Sequence, residues 1–317
     1  MKPAFRGLLV VVAAAVLAQS GAAASVRHAV RPESGVFWSK RVWLIGIGYC
    51  ARGGGQCAGG AVERTTDGGR TYHVVLHTSE PVGLLTKVGA RGAIATPSGG
   101  HAWRTLDGGR TWKPFDYQPF FWATPRVAVR FTAYMQGSST KLALQATHDG
   151  GRTWRLLADP CNHAVTYNAY AALVTAKLWW IVCVGVPAGG TADKAIFSTR
   201  DGGKTWQTGA ANLGPPHVRV HGGVGLIGSP DELAFAPNGF GLLTEVHGTL
   251  YVTRDGGRHF DAKREVVRRD VDLDAGAAAF SDGLGYVLLT GKAGFPARLI
   301  KTRDFGRTWQ VVRRWGG

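Results

Sequence analysis

Six carboxylates recur in one setting along the chain: Asp67, Asp107, Asp149, Asp201, Asp255 and Asp304. Each belongs to an octamer of the form Thr-x-Asp-x-Gly-Arg/Lys-Thr-aromatic, at residues 65–72, 105–112, 147–154, 199–206, 253–260 and 302–309. His259 replaces the second Thr once, and Phe305 replaces the first Gly once. A carboxylate so placed accepts backbone N–H groups of its own turn, and Gly supplies the positive φ that a tight hairpin requires. Thr suits strand ends. The closing ring, which is Trp112, Trp154, Trp206 or Trp309 in four copies, offers a large apolar plate to bury. This is the chemistry of building turns. Catalytic motifs are missing from the sequence: it holds no Gly-x-Ser-x-Gly elbow, no phosphate loop and no His-Glu-x-x-His. The ten His are scattered and the four Cys form no CxxC, so neither a metal nor a cofactor is expected.

The octamers must be positioned by something regular. Their Asp residues lie 40, 42, 52, 54 and 49 positions apart, a period that means a propeller or a solenoid. Short β-rich stretches flank each copy, so each is read as a turn between antiparallel strands. The 46 Gly fit many tight turns.

The octamer resembles the Asp-box of bacterial neuraminidase repeats, found in sialidases, sortilin-type receptors and the photosystem II assembly-factor propellers. The form Thr-x-Asp-Gly-Gly-x-Thr-Trp is most similar to the last group, and the likeness covers nearly all of the chain after residue 35. It implies an all-β fold: a six-bladed β-propeller of four-stranded antiparallel blades, with each octamer between a blade's third and fourth strands. Seven blades is the alternative, but no gap is long enough to hide a blade without a box. Strands are expected at 36–38, 42–47, 62–65 and 72–77 in the first unit. In the fourth they are expected at 169–175, 178–184 and 194–199. The apolar run 169–186 also scores as a membrane span, but Lys177 interrupts it and inner propeller strands are expected to be apolar throughout.

Alternating strand direction puts all octamers on one side and the inter-blade links and second-to-third-strand loops on the other. Three pairings of the four Cys are possible. Cys50 and Cys57 fall in one such loop, while Cys161 in a link and Cys183 at a strand end share the same side, so Cys50–Cys57 and Cys161–Cys183 are expected. The loop-rich side is the expected binding face. Its most distinctive stretch, 113–122, brings Tyr117, Phe120, Phe121 and Trp122 together as a contact platform or as a plug over the central channel. Arg126, His217 and Arg219 are further candidate contacts. Asp270, Asp272 and Asp274 alternate, as a weak cation site or a solvated edge would.

The resemblance also implies a sharper possibility. A sialidase clamps its substrate carboxylate with three Arg and uses a Tyr nucleophile with a Glu partner and an Asp acid. The residue types are present in Arg126, Arg130, Arg219, Tyr167, Tyr170, Glu245 and Asp231, but the Arg-Ile-Pro signature is absent; Arg31-Pro32 lacks the Ile.

At the N-terminus, Lys2 and Arg6, the apolar stretch 8–17 and Ala22-Ala23-Ala24 read as a secretory signal over residues 1–24, with an uncleaved anchor as the alternative. Residues 25–317 then form a single domain, secreted or extracytoplasmic, where four cysteines fit an oxidising compartment. The net charge of +16 favours anionic surfaces. Nine of the cations (Arg70, Arg110, Arg152, Lys204, Arg258, Arg307, Arg200, Arg254 and Arg303) lie in the octamers, as a solvated hairpin face or a polyanion dock. No nucleic-acid-binding motif is present. The reading is a monomeric, non-catalytic scaffold that binds a protein through its loop-rich face. A binder of carbohydrate or envelope polymer and a sialidase-like glycoside hydrolase are the alternatives.

Overall fold

The computed structural model describes residues 28–51, 56–116, 120–136, 139–163, 166–213, 219–225, 230–245, 249–263, 266, 272–291 and 296–316.

The chain is built of antiparallel strands in six consecutive units. Unit 1 holds β1 (His28–Phe37), β2 (Trp43–Ala51), β3 (Cys57–Thr65) and β4 (His73–Thr78). Unit 2 holds β5 (Leu84–Val88), β6 (Gly92–Thr96), β7 (Ala102–Thr105) and β8 (Lys113–Phe115). Unit 3 holds β9 (Phe121–Trp122), β10 (Ala128–Gln136), β11 (Ser139–Thr147) and β12 (Arg155–Leu156), and Val88 pairs in parallel with Trp122 to join units 2 and 3 into one eight-stranded sheet. After a 3-10 turn at Pro160–His163, unit 4 holds β13 (Thr166–Leu173), β14 (Trp179–Gly185), β15 (Lys194–Thr199) and β16 (Gln207–Leu213), with β17 (Arg219–His221) added as a fifth strand. Unit 5 holds β18 (Pro230–Phe235), β19 (Gly241–Glu245), β20 (Thr249–Thr253) and β21 (Asp261–Ala262). Unit 6 holds β22 (Asp272–Ala279), β23 (Gly285–Gly291), β24 (Arg298–Thr302) and β25 (Gln310–Arg314).

Two expectations need correction. The aromatic stretch ending at Trp122 is not a free loop: Phe121 and Trp122 form the first strand of unit 3, pairing with Val129 and Ala128. Trp122 is buried, because an innermost strand is covered on both faces. The region after β16 is not a plain link either, since Leu213 pairs with Arg219 and Ala211 with His221. The apolar run at 169–186 forms β13 and β14 as an antiparallel pair. Among the described residues no helix is long and apolar enough to cross a membrane.

The core lies between units rather than within any one. Wide side chains alternate across each strand, and successive units interdigitate through them. Trp180 of unit 4 stacks on Phe235 of unit 5 with centroids 4.3 Å apart and planes 2° from parallel. Trp179 and Ile181 pack with Val129 and Leu144 between units 3 and 4. Leu242 and Val252 meet Val287 and Ile300 between units 5 and 6. Each such side chain, moved out of water, contributes about 1.5–3 kcal/mol.

Unit 6 also packs on unit 1. Phe37 and Tyr286 stack at 5.2 Å, inside a cluster that joins Trp43, Ile45 and Ile47 to Leu288, Leu299 and Trp315. The approach is close enough that a Cβ on Gly276 (φ +152°) would lie 2.5 Å from the Gly35 carbonyl oxygen.

Candidate functional site

The six octamers adopt one geometry. In the first, Thr65 Oγ1 donates to Asp67 Oδ1 at 2.8 Å and accepts from Gly69 N at 3.0 Å. Asp67 Oδ1 accepts from the Arg70 and Thr71 amides, and Oδ2 from the Thr71 hydroxyl at 2.6 Å. The same bonds recur around Asp107, Asp149, Asp201 and Asp304. At Asp255 the His259 ring nitrogen Nδ1 stands in for the Thr hydroxyl at 2.6 Å. Hydrogen bonds from Thr71 hold the Asp67 carboxyl well below the usual carboxylate range, and its counterparts in the other turns behave alike. Each of these carboxylates accepts four or more hydrogen bonds from its own turn, the pattern of a turn-building group.

Each octamer docks on the turn between the first and second strands of its own unit. Gly68 N donates to Arg41 O, Gly108 N to Arg91 O, Gly150 N to Arg126 O and Gly202 N to Lys177 O. Phe305, at φ 58° where the five other copies carry a positive-φ Gly, makes the same contact to Gly283 O. The closing rings seat against the neighbouring unit: Trp112 in the cluster between units 1 and 2, Trp206 between 3 and 4, and Trp309 between 5 and 6. Trp206 Nε1 donates across to Ala158 O at 2.9 Å. Trp154 lies 4.6 Å from Phe120.

Residues of the first strands, β1, β5, β9, β13, β18 and β22, line one cavity of about 940 Å³. Its walls run from Asn168 and Asp231, near strand starts, to Ala90, Ala176 and Ser281 in the turns. Most of the lining is Ala, Leu, Val and Phe, including Phe37, Phe120, Phe121 and Phe131. Among the described residues the charged lining groups are Lys87, Asp231 and Glu232. Solvent reaches Lys87 along the cavity, yet protein rings it, so desolvation lowers the pKa of its ammonium. Burial, with a lesser push from Asp231, raises Glu232 to about 7. Tyr170 accepts a bond from Asn168 Nδ2 at 3.2 Å; burial first, then the Asp231 charge, raises its hydroxyl above the ordinary tyrosine value.

This is the arrangement of a β-propeller.

No protein-family model matches the chain, and no curated protein matches its sequence. Solved structures similar to this propeller include YCF48 bound to a D1 peptide, at 16% identity and TM-score 0.42, over 90% of this chain and 81% of that one. YCF48 from Cyanidioschyzon merolae aligns at 15% identity and TM-score 0.41, over 90% and 85%. The GH93 α-L-arabinofuranosidase of Fusarium graminearum, in complex with arabinobiose, aligns at 13% identity and TM-score 0.47, over 87% and 94%. Likeness at this level brings no substrate or partner with it.

The propeller disperses the residues that a sialidase would gather. Arg130 Nε donates to Gln145 at 2.7 Å, and its guanidinium lies 4.3 Å over the Trp154 ring. Arg126 is exposed in a turn on the octamer side. Arg219 lies in β17, with its side chain outside the described residues, as are Tyr117 and His217. Glu245 is fully buried against Lys194, and Tyr167 is exposed. Only Tyr170 and Asp231 of that set line the cavity among the described residues. Among the described residues Lys87 is the cavity's only cation, so there is no arginine clamp.

The chemistry that sequence reasoning missed is Lys87 and Glu232. Alternation along β5 and β18 was the available signal, but which face of an inner strand meets the cavity depends on neighbouring units.

Both disulfides pair as expected: Cys50 with Cys57, whose backbones face each other across β2 and β3, and Cys161 with Cys183. They fit an extracellular or otherwise oxidising compartment. Glu33 lies beside Cys50 and Cys57, but disulfide sulfurs are not thiolate ligands.

Proposed function

We propose that residues 25–317 form one exported domain, a closed six-bladed propeller that binds an extended segment of another protein without chemical turnover. The central cavity carries this reading. It is large, mostly aliphatic and aromatic, and polarised by Lys87 on β5 and the Asp231–Glu232 pair on β18. Apolar walls with a few placed charges suit side chains of a peptide, with a basic group toward Glu232 and Asp231. The walls have no arginine clamp among the described residues, which favours binding over sialoside cleavage. Closure of the ring is supported by the stacking of Phe37 on Tyr286. Export is supported by the residue 1–24 pattern, which lies outside the described residues, and by the two disulfides. The links and loops at the cavity's far end are proposed to complete the contact.

A peptide-display selection on purified residues 25–317, read by titration of the enriched peptides, tests the proposal. Binding should weaken about tenfold or more when Thr86→Trp fills the cavity or Glu232→Lys inverts its charge. Enriched peptides that bind both variants unchanged would refute it, as would turnover of fluorogenic sialosides or arabinosides that Tyr170→Phe abolishes.

A further inference from the structure

On the octamer side, a second cavity of about 550 Å³ lies between units 6 and 1. Lys40, Arg41, Arg70, Lys301 and Arg303 line it, with Asp67 and Asp282 as the only carboxylates among the described residues. The Asp67 oxygens are engaged by Thr65, Arg70 and Thr71 within their own turn, and Asp282 Oδ1 accepts from Leu284 N at 3.3 Å. Five cations therefore face one cleft with two carboxylates, so positive charge outweighs negative five to two.

Other junctions use the corresponding cations to fasten units together. Arg64 Nε of unit 1 donates to Gly108 O of unit 2 at 2.6 Å. Arg254 of unit 5 donates to Phe305 O of unit 6 and pairs with Asp261. Lys301 occupies in unit 6 the position that Arg64 holds in unit 1, and Arg303 the position of Arg254. Among the described residues neither has a hydrogen-bond or ion-pair partner, nor do the side chains of Lys40, Arg41 and Arg70. Burial and the nearby Arg303 lower the Lys301 pKa, as expected of a lysine in an unbalanced positive field. The floor is fixed by the buried Tyr286, whose hydroxyl donates to Lys40 O at 3.3 Å.

We infer that this cleft is a binding site for a multiply charged oxyanion of the phosphate class, distinct from the central cavity. Three guanidinium groups supply forked donors that match phosphate oxygens, and Lys40 and Lys301 add point charges. The phosphate belongs either to a soluble polyanion or to a lipid headgroup.

The experiment compares two charge-matched triple variants of residues 25–317, because a chain this basic attracts any polyanion. The cleft variant is Arg41→Gln/Lys301→Gln/Arg303→Gln. The control, on the same side but away from the cleft, is Arg152→Gln/Arg155→Gln/Lys204→Gln. Each is titrated calorimetrically with inorganic tripolyphosphate and, separately, tested for co-sedimentation with phosphatidylglycerol vesicles. The expected result is a loss of about tenfold or more in affinity for the cleft variant and less than about twofold for the control. Cleft-dependent binding of tripolyphosphate identifies a soluble source, and cleft dependence seen only with vesicles a lipid one. Equal weakening by both variants, or no binding by the parent protein, overturns the inference. Removing the Lys301–Arg303 repulsion does not threaten folding, and the unliganded unfolding midpoint of each variant checks this.

Discussion

Lys194 Nζ lies 3.0 Å from Glu245 Oε1 with neither side chain exposed, joining the third strand of unit 4 to the second strand of unit 5. The ammonium also donates to Gly225 O at 2.9 Å. Burial pushes the lysine pKa down and the glutamate pKa up, and their mutual attraction opposes both shifts. Removing one partner leaves a buried charge unmatched. Glu245→Ala or Lys194→Ala should each cost about 3–5 kcal/mol in urea unfolding. The double variant Lys194→Met/Glu245→Leu should cost less than either. A double variant as damaging as the two single losses summed would show that the pair does not interact.

Glu232 makes stability depend on pH in a definite direction. Its folded pKa, about 7, lies above the ordinary value of 4.5, so the folded protein holds a proton that the unfolded chain has released. The stabilisation is complete below about pH 4.5 and is lost as pH rises to about 7. Glu232→Gln should therefore leave the unfolding midpoint unchanged near pH 4.5 and raise stability at pH 8 by about 1–2 kcal/mol, reduced by water in the cavity. Identical pH profiles for variant and parent would contradict this environment for Glu232.

The two disulfides differ in reach. Cys161 and Cys183 are 22 apart in sequence and tie the approach to unit 4 onto its second strand, whereas Cys50 and Cys57 are 7 apart within one hairpin. Cross-linking the longer loop removes more freedom from the unfolded chain. Replacing Cys161 and Cys183 by Ser should cost about 3 kcal/mol, and replacing Cys50 and Cys57 about 1 kcal/mol less than that. Thermal unfolding of the two double variants gives the order, and a reversed order would contradict it.

Gly283, at φ +84°, sits where an added Cβ would lie 2.7 Å from the Phe305 ring. Gly283→Ala combines backbone strain with that clash and should cost about 2 kcal/mol. In a Phe305→Gly background the clash vanishes, so the same substitution should cost about half as much. Equal costs in both backgrounds would mean that the ring does not press on this turn.

The units were legible because the octamers fix where third strands end. The bounds expected for the third strand of unit 4, 194–199, agree with the structure. First strands were harder. β1 begins at His28, well before the strand expected at 36–38, and a register shift between Pro32 and Ser34 accommodates the irregular stretch. β9 is only two residues long and hid among aromatics that resembled a surface platform. The cavity was illegible for a related reason, since inner strands are apolar on both faces and alternation does not mark the face that meets solvent. Lys87 and Glu232 become distinctive only once six separate units are brought around one space.

Phe37 and Tyr286 stand 249 positions apart in sequence and touch only if the last unit packs on the first, with ring planes 4° from parallel. A double-mutant cycle with Phe37→Leu and Tyr286→Leu, read by chemical unfolding, measures that contact. A coupling of about 0.5–1.5 kcal/mol is the predicted result. Strict additivity would mean that the ring is open and that the inner strands do not enclose a single cavity.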